Sequence, residues 1–393
     1  MKILRTLSTT RLITVAVAAC IVLVGGAVVA VAAHGGGGAT PPAKPLAQAA
    51  HDSLAAAKPE GVTARITFTN KLFPSGALVG QAGSALMSGA NGRLWWNPNG
   101  GRLELQSDAG DVQLTWNDAK ATLFDASSNT AYTFNLPQDK AGASTSTADH
   151  TVPSVAEITK SLIELGKNWT VSGAEPSNVA GQEAYTVKIS PAHDGGLLGS
   201  AQLAWAAANG VPLRVAIYAR DASSPALALE ATDISFGKVA DSAVQVAPPA
   251  TAKVVNLSSE TKGKGSDASG GAPVTGLAAV QAAAGFPVTA PDTLVGLPRQ
   301  DVRLVGPADS RAALVVYGQG LGAIVLVERA NDGKAAMAGP LASLPRVSLS
   351  GITAHELATQ LGTVLTWDRG GVSYILAGSL PSSAAEAAAA AIG

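Results

Sequence analysis

The chain reads as a mainly antiparallel β protein that ends in a small α+β domain. Three observations predict this. Apolar residues alternate at period two through most of residues 62–236, the mark of half-buried antiparallel strands. Clusters of Asn, Asp, Gly and Ser fall between those runs, and such residues suit tight hairpin turns. Beyond Lys253 to Pro273, KVVNLSSETKGKGSDASGGAP, helical and strand patterning are mixed.

The first element is Leu12 to Ala33, an uncharged apolar run preceded by Lys2, Arg5 and Arg11. A helix needs roughly 20 such residues to cross a bilayer, and the cations keep residues 1–11 in the cytoplasm. Residues 12–33 therefore read as a transmembrane anchor with the bulk of the chain extracytoplasmic. A cleavable signal segment, which would leave the protein secreted, is the rival reading. Its apolar region is typically shorter, about 7–15 residues, but Ala30, Ala32 and Ala33 suit cleavage. Cys20, the sole cysteine, follows Val17-Ala18-Ala19 as in a lipobox. The apolar residues after it favour a place within a membrane helix over acylation. One thiol forms no internal disulfide.

Residues 34–45 form a Gly/Pro spacer, and Leu46 to Lys58 a short amphipathic helix closed by Pro59. Strands follow at Val62–Leu72, Arg102–Gln106, Val112–Trp116, Ala121–Asp125 and Thr130–Leu136. The breaks are Asn91-Gly92, Asn99-Gly100-Gly101, Asp108-Ala109-Gly110, Asn117-Asp118 and Ser127-Ser128-Asn129. Gln138 to His150 is a polar loop. Val152 to Lys167 carries Val155, Ile158, Leu162 and Leu165 at helical spacing. Strands resume at Glu183–Ser190, Gln202–Ala206, Leu213–Arg220 and Leu227–Phe236. Residues 253–275 read as a linker. In residues 276–393 the expectations are a helix near Gly276–Ala284, strands Ala312–Tyr317 and Ala323–Glu328 around GQGLG, and a helix Thr353–Leu361. A hairpin tipped by Arg369-Gly370-Gly371 and a helical tail complete the domain.

Composition narrows the function. Charged residues are 14% and the net charge is −1, against roughly 25% charged residues in ordinary soluble proteins. Without Lys2, Arg5 and Arg11 it falls from −1 to −4. With no basic block, binding to nucleic acid or to anionic headgroups has no electrostatic support.

Motifs for chemistry are incomplete. His355-Glu356 begins a zincin pattern, but Thr359 stands where the second imidazole belongs. The other histidines are scattered, so no metal site is expected. Gly318-Gln319-Gly320-Leu321-Gly322 precedes a strand rather than a helix, which removes the phosphate's helix terminus. Ser259 and Lys262 fit SxxK but sit in the linker, where a catalytic pair has no rigid placement. Asp108, Asp111 and Asp233 read as structural. Trp95-Trp96 in a strand places one ring in the core and the other outside. No catalytic residue and no cofactor is expected.

GRLWWN, RLELQSD and GDVQLTWNDAKATLFDASSNTAYTFNLP, with VAGQEAYTVKISP, GVPLRVAIY and ATDISFGKV later, resemble the LolA/RseB-type lipoprotein-binding family over roughly residues 46–250. The ending, GFPVTAP, VVYGQG and GTVLTWDRGGVSYILAGSLP, resembles the small domain that follows such modules in actinobacterial membrane-anchored forms. The resemblance implies an incomplete (half) β-barrel over residues 46–252 with a helical lid, for which Val152–Lys167 is suited. It implies a non-enzymatic protein whose apolar inner wall takes a lipid or the acyl chains of a lipoprotein. Candidate lining residues are Leu103, Leu105, Val112, Leu114, Trp116, Tyr185, Val187, Leu213, Val215 and Ile217. The alternative is an RseB-like sensor that binds an anti-sigma factor or another envelope protein. The family's arginine-centred lid lock has three candidates, Arg65, Arg93 and Arg102, among which the sequence does not choose.

Overall fold

The computed structural model describes residues 39–72, 84–136, 152–193, 196–257, 274–306, 311–331, 344–349 and 351–392. The apolar run 12–33 with Cys20, the loop 138–150, and Ser259 and Lys262 lie outside the described residues. The architecture is mainly antiparallel β, with a half-barrel and a smaller carboxy-terminal region of sheet and helix.

The first sheet has 13 strands. Helix α1 (Leu46–Ala55) leads into β1 (Val62–Asn70), and α2 (Ser84–Ser88) follows. A meander comes next: β2 (Ala90–Asn97), β3 (Gly100–Ser107), β4 (Gly110–Trp116), β5 (Lys120–Asp125) and β6 (Thr130–Asn135). After α3 (Val155–Leu165) come β7 (Trp169–Val171), β8 (Glu175–Val179), β9 (Gln182–Pro191), β10 (Leu198–Ala206), β11 (Pro212–Ala219) and β12 (Leu227–Phe236). Helix α4 (Asp241–Val244) and β13 (Lys253–Asn256) end this part. β1 pairs with β2 on one side and β12 on the other, which joins the two halves of the meander. β13 flanks one end of the sheet, and β7 and β8 share β9 at the other.

Side-chain hydrogen bonds close the turns of the meander. Asn97 Oδ1 accepts from the Asn99 amide, and Asn117 Oδ1 from the Ala119 and Lys120 amides. Asp125 accepts from the Ser127 amide and from the Ser127 and Ser128 hydroxyls. Short Asn and Asp side chains mimic a backbone turn in this way. Asn91-Gly92 is different. It lies inside β2, paired with Thr67 and Ile66 and with Gln106 and Leu105. A Cβ on Gly92 would come within 2.0 Å of the Glu104 carbonyl oxygen, so the glycine serves a close strand approach rather than a turn.

Two stretches read as linker are partly structured. Ala39 to Lys44 runs as a strap along the sheet, and Lys253–Asn256 is a parallel partner of β6. Both gain a hydrogen-bonded place on an open sheet, which composition does not report.

The second sheet has 8 strands. Its elements are α5 (Leu277–Ala284), β14 (Thr293–Leu294), β15 (Leu297–Val305), β16 (Ala312–Tyr317), β17 (Ile324–Ala330), β18 (Arg346–Leu349), β19 (Ile352–Thr359), β20 (Gly362–Arg369), β21 (Val372–Gly378) and α6 (Ser382–Ile392). The expected helix Thr353–Leu361 is instead strand β19. It pairs with β18 over Ile352–His355 and with β20 over Ala354–Thr359, and ladder pairing overrides a local helical spacing. GQGLG forms the β16–β17 hairpin connection, and Gly370-Gly371, both at positive φ, form the β20–β21 turn.

Candidate binding site on the inner face of the half-barrel

Alternation puts one face of the long sheet under α1 and α2. Cross-strand register organises this inner face into rows. One row is Val62, Trp96, Gly101, Trp116, Ala121 and Phe134. The Trp116 ring lies against Gly101, where a Cβ would sit 2.1 Å from it. A second row runs Ala64, Leu94, Leu103, Leu114, Leu123 and Tyr132. A third is Phe68, Leu229, Val215, Leu203 and Val187. A fourth is Leu227, Ile217, Ala201, Ile189 and Val171.

These rows separate into two packed clusters. The larger holds Leu105, Val112, Leu114, Trp116 and Leu213, with Leu103, Phe68 and Leu229 against it, and α2 adds Ala85 and Leu86. The smaller holds Tyr185, Val187 and Trp205, with Leu203 and Ile189 against it, under Ala49 and Leu46 of α1. Tyr185 and Trp205 rings lie 6.1 Å apart, tilted by 42°. Val215, Ile217 and Leu227 belong to neither cluster. They sit half-buried on adjacent strands between the two.

All ten candidate lining residues thus share the inner face. Seven of them, Leu105, Val112, Leu114, Trp116, Tyr185, Val187 and Leu213, are at most 8% exposed and fill the wall with their own side chains. The less covered part is narrower: Val215 and Ile217 are half-buried. Phe68, Leu203, Leu227 and Leu229 border it. Their signal was present in the sequence as the alternation of the same strands, but alternation gives the face and not the degree of cover.

Helix α3 begins with a capping box. The Ser154 side chain accepts from the Glu157 amide, and Glu157 accepts from the Ser154 amide. The Ser154 bonds hold the Glu157 carboxyl below its ordinary range. The helix packs on α1, and the His51 imidazole lies 2.9 Å from the Pro153 carbonyl oxygen. None of its residues is buried, and Ile163 is 63% exposed.

Polar chemistry lies on the other face. Arg65 and Arg93 are exposed there, directly opposite one another across β1 and β2. Arg102 covers the Trp95 ring at 4.7 Å and pairs with Glu104, while Trp96 is in the core. None of the three arginines faces the inner wall, and Arg102 instead reaches helix α4, its Nη1 donating to the Ala243 carbonyl oxygen at 3.4 Å. A 410 Å³ cleft beside Lys188, His193, Ser200, Tyr218 and Arg220 also opens on this side, and its polar lining does not suit a hydrocarbon chain. Among the described residues no three His, Cys, Asp or Glu side chains gather to hold a metal ion. His355, in β19, bonds the Leu344 carbonyl oxygen at 2.9 Å.

No family model matches the chain, and no curated protein matches its sequence. Among solved structures, a complex of MucB with MucA(peri) is similar at a TM-score of 0.40 and 16% identity, over 88% of this chain and 94% of that one. The MucA/MucB complex of Pseudomonas aeruginosa has a TM-score of 0.40 at 15% identity, with the same coverage. A domain assigned as an outer membrane lipoprotein-sorting protein from Vibrio parahaemolyticus has a TM-score of 0.17 at 10% identity, over 47% of this chain and 89% of that one.

Proposed function

We propose that the chain is a non-enzymatic, extracytoplasmic binding module, anchored by residues 12–33, that takes an acyl chain of a lipid or lipoprotein against its inner wall. The observation that carries this reading is the half-buried apolar stretch Val215, Ile217 and Leu227 between two packed clusters. Apolar burial contributes about 0.8 kcal/mol per methylene, so a short stretch of chain laid along these half-buried residues gains affinity without any polar contact. The resemblance of the strand phrases to the LolA/RseB type points the same way.

The test places a photo-crosslinking residue at Ile217, and as a control at Thr232 on the outer face, in the full chain in cells. A lipid or acylated-peptide adduct at Ile217 alone is expected. An unacylated protein at Ile217 would transfer the site to the sensor alternative, and equal labelling at both positions would sink it.

A further inference from the structure

The outer face of the half-barrel holds a cleft of 410 Å³ lined by Lys188, His193, Ser200, Tyr218, Arg220 and Asp221. Lys188, Ser200 and Tyr218 alternate with Val187, Ala201 and Ile217 of the inner face, so the strand period sets them on this side. Ser200 and Tyr218 are cross-strand partners. The Tyr218 hydroxyl accepts from Arg214 Nη2 at 2.7 Å and donates to Gln202 Oε1 at 3.2 Å, which fixes that wall.

Two features of the backbone shape the cleft. The register of β10 on β11 slips between Leu198 and Ser200, a bulge of the kind that re-aims a side chain. Gly199 lines the cleft at this slip, and a Cβ there would stand 2.5 Å from the Ala219 carbonyl oxygen, so no side chain fills the space. The Arg220 amide donates to the Leu197 carbonyl oxygen at 2.7 Å, and the Leu197 amide to the Ser379 carbonyl oxygen at 3.1 Å. The cleft therefore sits beside a joint between the two sheets, and small-molecule sites recur at such junctions.

Its chemistry is cationic, with a nearly buried hydroxyl in the lining. Lys188 and Arg220 outnumber Asp221, on a chain whose net charge is −1. Among the described residues Lys188 has no ion-pair partner. Ser200 is 5% exposed, yet its hydroxyl has no hydrogen-bond partner among the described residues. A hydroxyl so nearly buried calls for a partner, and the cleft is the side from which one can approach.

We propose that this cleft binds a small organic anion through its carboxylate or phosphate oxygens, with Lys188 supplying the charge and Ser200 a hydrogen-bond donor. A volume of 410 Å³ exceeds what a bare ion needs and falls within the roughly 300–1,000 Å³ of ligand clefts. The site is on the opposite face from the apolar wall, so it stands whether or not that wall takes an acyl chain.

Equilibrium dialysis of the detergent-solubilised full chain against labelled citrate and labelled glycerol 3-phosphate, at physiological ionic strength, tests this. One saturable site is expected for at least one of the two, citrate alone marking a carboxylate ligand and glycerol 3-phosphate alone a phosphate. Lys188→Glu should weaken binding about tenfold or more, as loss of a charged hydrogen bond does, and Ser200→Ala should weaken it by less. Lys160→Glu, the same change of charge at an exposed position of α3, should leave it unaltered. No saturable binding of either anion, binding unmoved by Lys188→Glu, or equal weakening by Lys188→Glu and Lys160→Glu overturns the proposal.

Discussion

On the second sheet, Leu326, Leu365 and Leu376 have no exposed surface and Trp367 has 1%, whereas on the first sheet Val215, Ile217 and Leu227 stay half-buried. Both sheets have one apolar face. The difference lies in what covers it. In the second, α6 lays Ala385, Ala388, Ala389 and Ile392 on the sheet at i, i+3, i+4 and i+7, and α5 adds Val280 and Ala284. Small side chains bring a helix close, so no gap is left. In the first, α1 and α2 cover separate patches, and α3 packs on α1 instead of spanning the interval. The pattern of polar and apolar residues is alike in both, and the seating of helices separates a fully buried core from a half-buried stretch.

The sharpest way to break this contrast is Trp367→Ala. The ring stacks on Tyr374 at 5.0 Å and 6°, so the loss should destabilise the second sheet by about 3–5 kcal/mol, read by calorimetry. A cost no larger than that of a surface substitution would mean the core is not sealed.

Acidity gives a second lever. Glu328 is fully buried among apolar residues, and its Oε2 accepts from the Thr289 amide at 2.8 Å. Burial raises its pKa from 4.5 to about 7. Between those values the folded chain keeps a proton that the unfolded chain has released. Stability of this region should therefore fall as pH rises from about 4.5 to about 7 and then level off, by at most roughly 3 kcal/mol. Glu328→Gln should flatten that slope in pH-dependent denaturation.

Gly101→Val tests the packed part of the first sheet. The new side chain meets the Trp116 ring, and overpacking should cost about 1–3 kcal/mol, with a shift in tryptophan emission. The smallest effect belongs to the half-buried stretch. Ile217→Ala should change thermal stability by less than about 1 kcal/mol, as surface sites do, while weakening acyl-chain crosslinking at that place. A core-sized loss of stability there would show that Ile217 belongs to a filled wall.

Much of this was legible beforehand. The alternation at Val112, Leu114 and Trp116, and at Leu213, Val215 and Ile217, put these residues on one face, as the ladder does. The Asn and Asp turns of the meander and the Gly370-Gly371 tip were readable because a tight turn restricts φ to values few residues accept. The misreadings at Asn91-Gly92 and at Thr353–Leu361 share a cause. A glycine required by a neighbouring strand's carbonyl, or a segment held by ladders on both sides, answers to partners distant in sequence.

By itself, then, the sequence determined the period of each strand, its turns and the sidedness of its apolar residues, because these are properties of a few consecutive residues. Only the tertiary structure decided that eight of the ten candidate residues divide between two packed clusters, that Val215 and Ile217 stay half-buried between them, and that Ala39 to Lys44 of the supposed spacer is bound along β8 and β9. Cover and docking are set by which distant element reaches a face, and no local pattern encodes that distance.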